Sequence, residues 1–210
     1  MSIISVHCTL LKKVYGKSLG TVGRRNLFGL SLGSPEVKEQ RYTLLKTINS
    51  PPTDVYNVVS EVSQYYKFIP YCTESFVEKR NLLDGKPTIA GLRVGFKQYD
   101  EKFVCEVSCK DLLADRDFTV EANSLSHNLF HLLYSKWTIR PHPRRPQTTE
   151  VELSLRFKFK SRLYNAVSSI FAKSVTKLVM DAFEKRVFEL KRLDPLKSVS
   201  SSSSSSSRDY

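Results

Sequence analysis

At 210 residues, with 40% apolar and 11% aromatic side chains, the chain has the composition of one globular domain with a sizeable core. Its formal charge of +12 is unevenly spread: residues 1–34 hold five basic residues and no acid, residues 35–155 hold 16 of each sign, and residues 156–193 hold ten basic residues against Asp181, Glu184 and Glu189. Four cysteines with no CxxC pair exclude a disulfide framework and fit a reducing compartment, and the absence of any run of about 18 apolar residues excludes a bilayer-spanning helix.

Residues 1–34 mix Ser, Thr, Gly, Lys and Arg with scattered apolar residues, and the first carboxylate of the chain is Glu36. An acid-free basic leader answers a negative-inside potential, so the segment reads as a mitochondrial transit peptide, disordered by itself, with Arg24-Arg25-Asn26-Leu27-Phe28 suited to processing. A disordered basic arm is the alternative reading, and a secretory signal fits worse because the apolar h-region is missing.

Residues 41–49 predict a first strand, stopped by Asn49-Ser50-Pro51-Pro52-Thr53. Val55, Val58, Val59, Val62 and Tyr66 then fall at helical spacing. Phe68, Ile69, Pro70 and Tyr71, which follow, are too apolar for an ordinary exposed loop and suit either a lid on a cavity or a loop packed on a sheet edge. Residues 71–140 predict strands with turns at 83–87, near 99–101, near 115–117 and at 124–128, and hairpins in succession imply an antiparallel sheet.

Phe103, Cys105, Val107 and Cys109 fall at strand alternation on one face, as do Val151, Leu153, Leu155, Phe157 and Phe159, which alternate with Glu152, Ser154, Arg156, Lys158 and Lys160. Residues 161–193 predict a helix of about 45 Å, striped by Leu163, Val167, Ile170, Phe171, Val175, Leu178, Val179, Ala182 and Phe183. A helix that long needs a wide, curved antiparallel sheet around it, which makes the fold class α+β. The Ser-rich tail, 194–210, buries nothing and is expected to be disordered.

Chemistry-bearing motifs are few. His127 and His131 have the spacing of a zinc helix, but Asn128 replaces the glutamate of HExxH, and on a strand residues four apart lie about 13 Å from each other. Cys105 and Cys109 fail by the same geometry, so no metal site is expected. No GxSxG, P-loop or GxGxxG occurs. Asp100 and Glu101 read as solvated turn charges unless a cleft holds them, and Trp137 reads equally as core or as pocket lining. Nucleic acid is set aside as a partner because no recognition motif accompanies the charge. Lys173, Lys177, Lys185 and Arg186, with Lys191 and Arg192, would instead bring the helix to an anionic leaflet, at about 1 kcal/mol per basic residue.

Tyr65-Tyr66-Lys67-Phe68-Ile69-Pro70-Tyr71-Cys72, Gly91-Leu92-Arg93-Val94-Gly95-Phe96, Trp137 and Met180-Asp181-Ala182-Phe183-Glu184-Lys185-Arg186 together resemble the mitochondrial coenzyme Q-binding protein family, a START-like, polyketide-cyclase-like branch. The resemblance covers about residues 38–193 and is near to the fungal members. It implies a helix-grip fold around an apolar pocket, ubiquinone as bound ligand with no catalytic cofactor, and a noncatalytic lipid-chaperone role supporting respiration and quinone synthesis. The residues expected to line the pocket are Phe68, Ile69, Pro70, Tyr71, Leu92, Val94, Phe96 and Trp137, with Phe171, Val175, Val179 and Phe183 from the helix. Lys67, Glu101 and Lys158 are ranked as headgroup or lipid contacts. The location implied is peripheral, on the matrix side of the anionic inner mitochondrial membrane. Two other readings stand beside this one: a cyclase-like enzyme using Glu101 with Tyr99 or a lysine, and a module docking on quinone-synthesis enzymes through its basic helix.

Overall fold

The computed structural model describes residues 39–96, 99–112, 117–126, 130–160 and 168–193, all within the unit Val37–Tyr210. The leader, the serine-rich tail and His127 lie outside the described residues. The elements run β1 (Gln40–Ile48), α1 (Pro52–Ser60), a 3-10 segment (Val62–Lys67), β2 (Cys72–Arg80), β3 (Pro87–Phe96), β4 (Tyr99–Leu112), β5 (Asp117–Ser124), β6 (Phe130–Pro141), β7 (Thr149–Phe159) and α2 (Ser168–Leu193). The seven strands form one sheet in the order β1-β7-β6-β5-β4-β3-β2, antiparallel throughout. The α+β antiparallel class expected from the sequence is the one observed.

Register converts strand alternation into rows across the sheet, since directly paired residues share a face. Leu44, Leu153, Trp137, Val120 and Cys109 make one such row. Tyr42, Leu155, Ser135, Ala122 and Val107 make the next. Both belong to the inner face, on which α1 and α2 pack; Arg156, Tyr134, Glu121 and Lys110 alternate onto the outer one.

Local chemistry explains the entry to α1. Pro51 and Pro52 cannot continue the ladder of β1, and proline near a helix start sacrifices only a donor that would be orphaned there. Asp54 lies in the first turn, where a carboxylate favours the helix dipole, and receives a hydrogen bond from the Ser50 hydroxyl (3.1 Å). Val55, Val58 and Val59 are buried.

The helical spacing carried through to Tyr66 in the sequence breaks at Glu61, which leaves the helical region (φ −89°, ψ 76°). The following turn is 3-10, and its three-residue period aligns Val62 with Tyr65 rather than with Tyr66. Tyr65 is accordingly buried, its hydroxyl donating to the Val59 carbonyl, while Tyr66 is half exposed.

In α2 the buried stripe is Thr176, Met180, Phe183 and Val187, at spacings of four, three and four. Val175, Leu178, Val179 and Ala182 flank it, half-buried. The helix is fastened to β1 by Lys46, whose ammonium lies 2.6 Å from both Asp181 and Glu184.

Candidate functional site

The apolar inner face divides into two packed clusters. Beside α1, Ile48, Val55, Val59, Trp137, Ile139, Val151, Met180, Phe183 and Val187 are closed off from solvent. Phe183 is the hub: its ring meets Trp137 at 4.7 Å, Tyr65 at 5.0 Å and Phe68 at 5.1 Å. At the other end of the sheet Phe157 and Phe159 are buried, flanked by Tyr42, Phe130, Leu133 and Leu155. Phe130 stacks on Phe159 at 4.6 Å, and Tyr42 on Phe157 at 5.9 Å.

A strip of apolar side chains on the inner face stays partly accessible: Leu92, Cys105 and Ala122 against the first cluster, Leu133 and Leu155 against the second, and Val94 and Phe103 between them. Val94 and Phe103 belong to neither cluster. Burial pushes the Cys105 and Cys109 thiols up to about 11, so near neutral pH both are protonated, weakly nucleophilic and effectively apolar. Such a surface can take up an apolar molecule by removing it from water.

The residues singled out from the sequence fall in different places. Trp137 and Phe183 lie inside the closed cluster, with Phe68 and Ile69 packed against it. Pro70 and Tyr71 are exposed. Tyr71 holds a left-handed φ of 67°, rare for a residue with a side chain, and its carbonyl accepts from the Gly95 N–H at 3.0 Å, tying the loop to β3. Leu92 and Val94 lie on the accessible strip, and Val175 and Val179 are half-buried on α2. The side chains of Phe96 and Phe171 are outside the described ones.

Asp100 and Glu101 are not in a turn but inside β4, on opposite faces. Asp100 forms a two-point ion pair with Arg93, which holds its carboxyl below the usual range, while Glu101 shares the inner row with Val94 and Cys72. Lys67 is exposed over the Tyr66 ring, and Lys158 stands on the outer row opposite Phe157 and Phe159.

Of the basic residues on α2, Lys173 is exposed, and Lys177 and Lys185 pair with Asp181 and Glu189 one turn on. Arg186, expected on the open surface, is 19% exposed, covering the Phe68 ring and reaching Glu189. Its guanidinium carbon stands 5.9 Å from the centre of that ring, within reach of the attraction between a cation and an aromatic face.

Tyr42, Phe130, Leu133 and Leu155 were not assigned to a site from the sequence. Strand alternation made Leu155 and Leu133 apolar-face residues, but nothing local separates a row that is packed from one that is accessible. The outer face carries an open groove of about 590 Å³ lined by Thr88, Glu106, Ser108, Glu121, Asn123, Tyr134 and Arg156. Val107 and Leu132 complete its lining, which mixes polar and apolar surface. Among the described residues no three His, Cys, Asp or Glu side chains converge as a metal site, and no helix is long and apolar enough to cross a membrane.

Comparison with known proteins fits this arrangement. Residues 48–184 match the family described as polyketide cyclase / dehydrase and lipid transport. The chain is 61% identical over 189 residues to the mitochondrial coenzyme Q-binding protein COQ10 of Saccharomyces cerevisiae, covering 90% of both chains. The chain belongs to the coenzyme Q-binding protein family. A second member, from Eremothecium gossypii, is 56% identical over 171 residues, covering 81% of this chain and 82% of its own. Among solved structures, a START superfamily protein from Mycobacterium smegmatis superposes with a TM-score of 0.60, covering 71% of this chain and 98% of the other. At 17% identity that likeness shows the fold alone. The coenzyme Q-binding family and the START-like fold are therefore those the resemblance in the sequence implied.

Proposed function

We propose that the chain is a noncatalytic carrier that binds ubiquinone, or a related polyprenyl quinone, on the inner face of its sheet. The observation that carries this reading is the accessible apolar strip between two packed clusters; close relatives named for coenzyme Q binding support the choice of ligand. In this reading the sheet curves around α2 in a helix grip, and Leu92, Val94, Val175 and Val179 meet the isoprenoid tail. Burial of the tail supplies the affinity, at about 25 cal/mol per Å² of apolar surface.

The headgroup has different needs in its two redox forms. Quinone carbonyls only accept hydrogen bonds, which suits Lys67 in the loop, whereas quinol hydroxyls donate, which suits the Glu101 carboxylate on the inner row. Phe68, Ile69, Pro70 and Tyr71 form the lid. An enzyme reading is disfavoured because Asp100 and Glu101 point to opposite faces and the inner thiols are not activated. The protein works in mitochondria, directed there by the 1–34 leader, and sits peripherally on the matrix side of the inner membrane, with Lys173, Lys177 and Lys185 toward anionic lipid. Docking on quinone-synthesis enzymes would use the same basic surface.

Lipid analysis of the purified full chain tests the proposal: quinone should co-purify in a fixed ratio. Val175→Glu should lose it while keeping the circular dichroism of the parent. Protein free of quinone from a quinone-replete host would overturn the carrier reading, and quinone retained by Val175→Glu would remove Val175 from the wall.

A further inference from the structure

The turn from β2 to β3, residues 81–86, presents two leucines to solvent. Leu82 is 98% exposed and Leu83 96%, the highest values for large apolar side chains among the described residues. Isolated exposed leucines are ordinary, but two adjacent ones at the tip of a hairpin form a projecting apolar edge.

The turn that carries them is braced. Asn81 N–H donates to the Lys86 carbonyl (2.8 Å), Gly85 N–H to the Asn81 carbonyl (3.0 Å), Leu83 N–H to Asn81 Oδ1 (2.9 Å) and Lys86 N–H to Asp84 Oδ1 (2.9 Å). Gly85 takes φ +67°, a conformation that costs glycine little. Arg80 ties the Gly85 carbonyl (3.0 Å) to Glu61 (2.8 Å), and Lys86 reaches Ser60 (2.9 Å) and lies over the Tyr56 ring (4.4 Å). The leucines are thus held out by a scaffold anchored to α1.

We infer that the Leu82–Leu83 turn is a wedge that enters the interfacial layer of an anionic bilayer. Three features favour lipid over protein as the occupant. Four of the turn's six backbone donors, those of Asn81, Leu83, Gly85 and Lys86, are satisfied within it, which lowers the cost of entering a medium poor in water. Lys79, Arg80 and Lys86 flank the tip; Arg80 is paired with Glu61, and the Lys79 and Lys86 ammonium groups are left to meet anionic headgroups beside Glu78 and Asp84. Two leucine side chains fall well short of the roughly 800 Å² per partner that a stable protein interface buries, but they suffice for shallow, reversible insertion beside basic residues. The inference deepens the peripheral membrane location proposed above and is independent of the quinone.

Co-sedimentation of the full chain with vesicles of phosphatidylcholine plus phosphatidylglycerol tests it. Leu82→Ser with Leu83→Ser should weaken vesicle binding about tenfold or more, with circular dichroism and co-purified quinone unchanged. In Leu83→Trp, tryptophan emission should shift to the blue on adding vesicles, over the steady background of buried Trp137. Undiminished binding of the double serine variant, or an unshifted emission in Leu83→Trp, overturns the wedge. Equal binding to phosphatidylcholine alone overturns the anionic surface. Concentration-dependent dimerisation abolished by the serine variant overturns it in favour of a second copy. A parent chain that carries quinone but ignores vesicles overturns the wedge and leaves the carrier reading standing.

Discussion

The two ends of the inner face use the same kinds of residue differently. Beside α1, rings and branched chains from β1, β6, β7, α1 and α2 converge on Phe183, and almost nothing there touches solvent. Toward Phe130 and Phe157, aromatic contacts run along the sheet, while Leu133, Leu155 and Tyr42 stay partly accessible. The difference teaches that one sheet can be stabilised at one end and left available at the other, because the register of β6 and β7 holds from Leu132 to Pro141 whatever covers them and shifts only at Phe130/Leu132.

The contrast is broken most forcefully at its hub. Phe183→Ala should cost about 3–5 kcal/mol, read as a lower urea midpoint, because three other rings would lose their common partner. A loss under about 1 kcal/mol would mean that the α1 end is not the stabilising one.

A smaller effect is expected at Lys46. Burial opposes its charge, but the hydrogen bonds it donates to Asp181 and Glu184 outweigh that and raise its pKa, while the bonds Asp181 accepts from Lys177 and Lys46 lower that of Asp181. Both carboxylates are partly exposed, so Lys46→Met should cost only about 1 kcal/mol. The signs differ by partner. The contribution of Asp181 is present above its usual 3.8 and fades as pH falls through the lower folded value; that of Lys46 is present below 10.5 and fades as pH rises through the higher folded value. Stability of Lys46→Met should therefore vary less with pH at both limits, the acid limb only partly because Lys177 still bonds Asp181.

The smallest effect on stability should come from the accessible strip. Ala122→Phe should change the urea midpoint by less than about 1 kcal/mol, where an added ring in a filled core would cost about 1–3. Quinone co-purification should nevertheless fall sharply. A strongly destabilised Ala122→Phe would show that the strip is as tightly packed as the α1 end.

How far the sequence foretold this arrangement depends on the range of the cause. Alternation in 151–159 and the proline stop at 51–52 are local, and both gave the right elements. Glu101 was misread as a turn residue because Tyr99-Asp100-Glu101 is polar, although in a ladder one polar side chain can alternate with another. Of the stripe expected on α2, Phe183 is buried while Val175, Leu178, Val179 and Ala182 only flank the buried line; Thr176, Met180 and Val187 were not foreseen in it, since Thr176 is polar and the apolar residues there span a broad arc. Trp137 and Phe183 could not be separated from Leu92 and Val94 by pattern at all. Whether an apolar residue is closed in or accessible depends on which distant elements reach it, and register across seven strands decides that.

The pairing of β1 with β7 has a consequence for how the molecule comes into being. Ile48 lies against Thr149 and Gln40 against Phe157, so the first of the described strands needs the last as its neighbour. A polypeptide emerging amino end first, from a ribosome or a translocation pore, must leave β1 unpaired until the other described strands have appeared, and contacts so distant in sequence form slowly. The edge of the sheet is thus completed late in biogenesis, with α2 still to follow, and the waiting strand is where a chaperone would have most to protect.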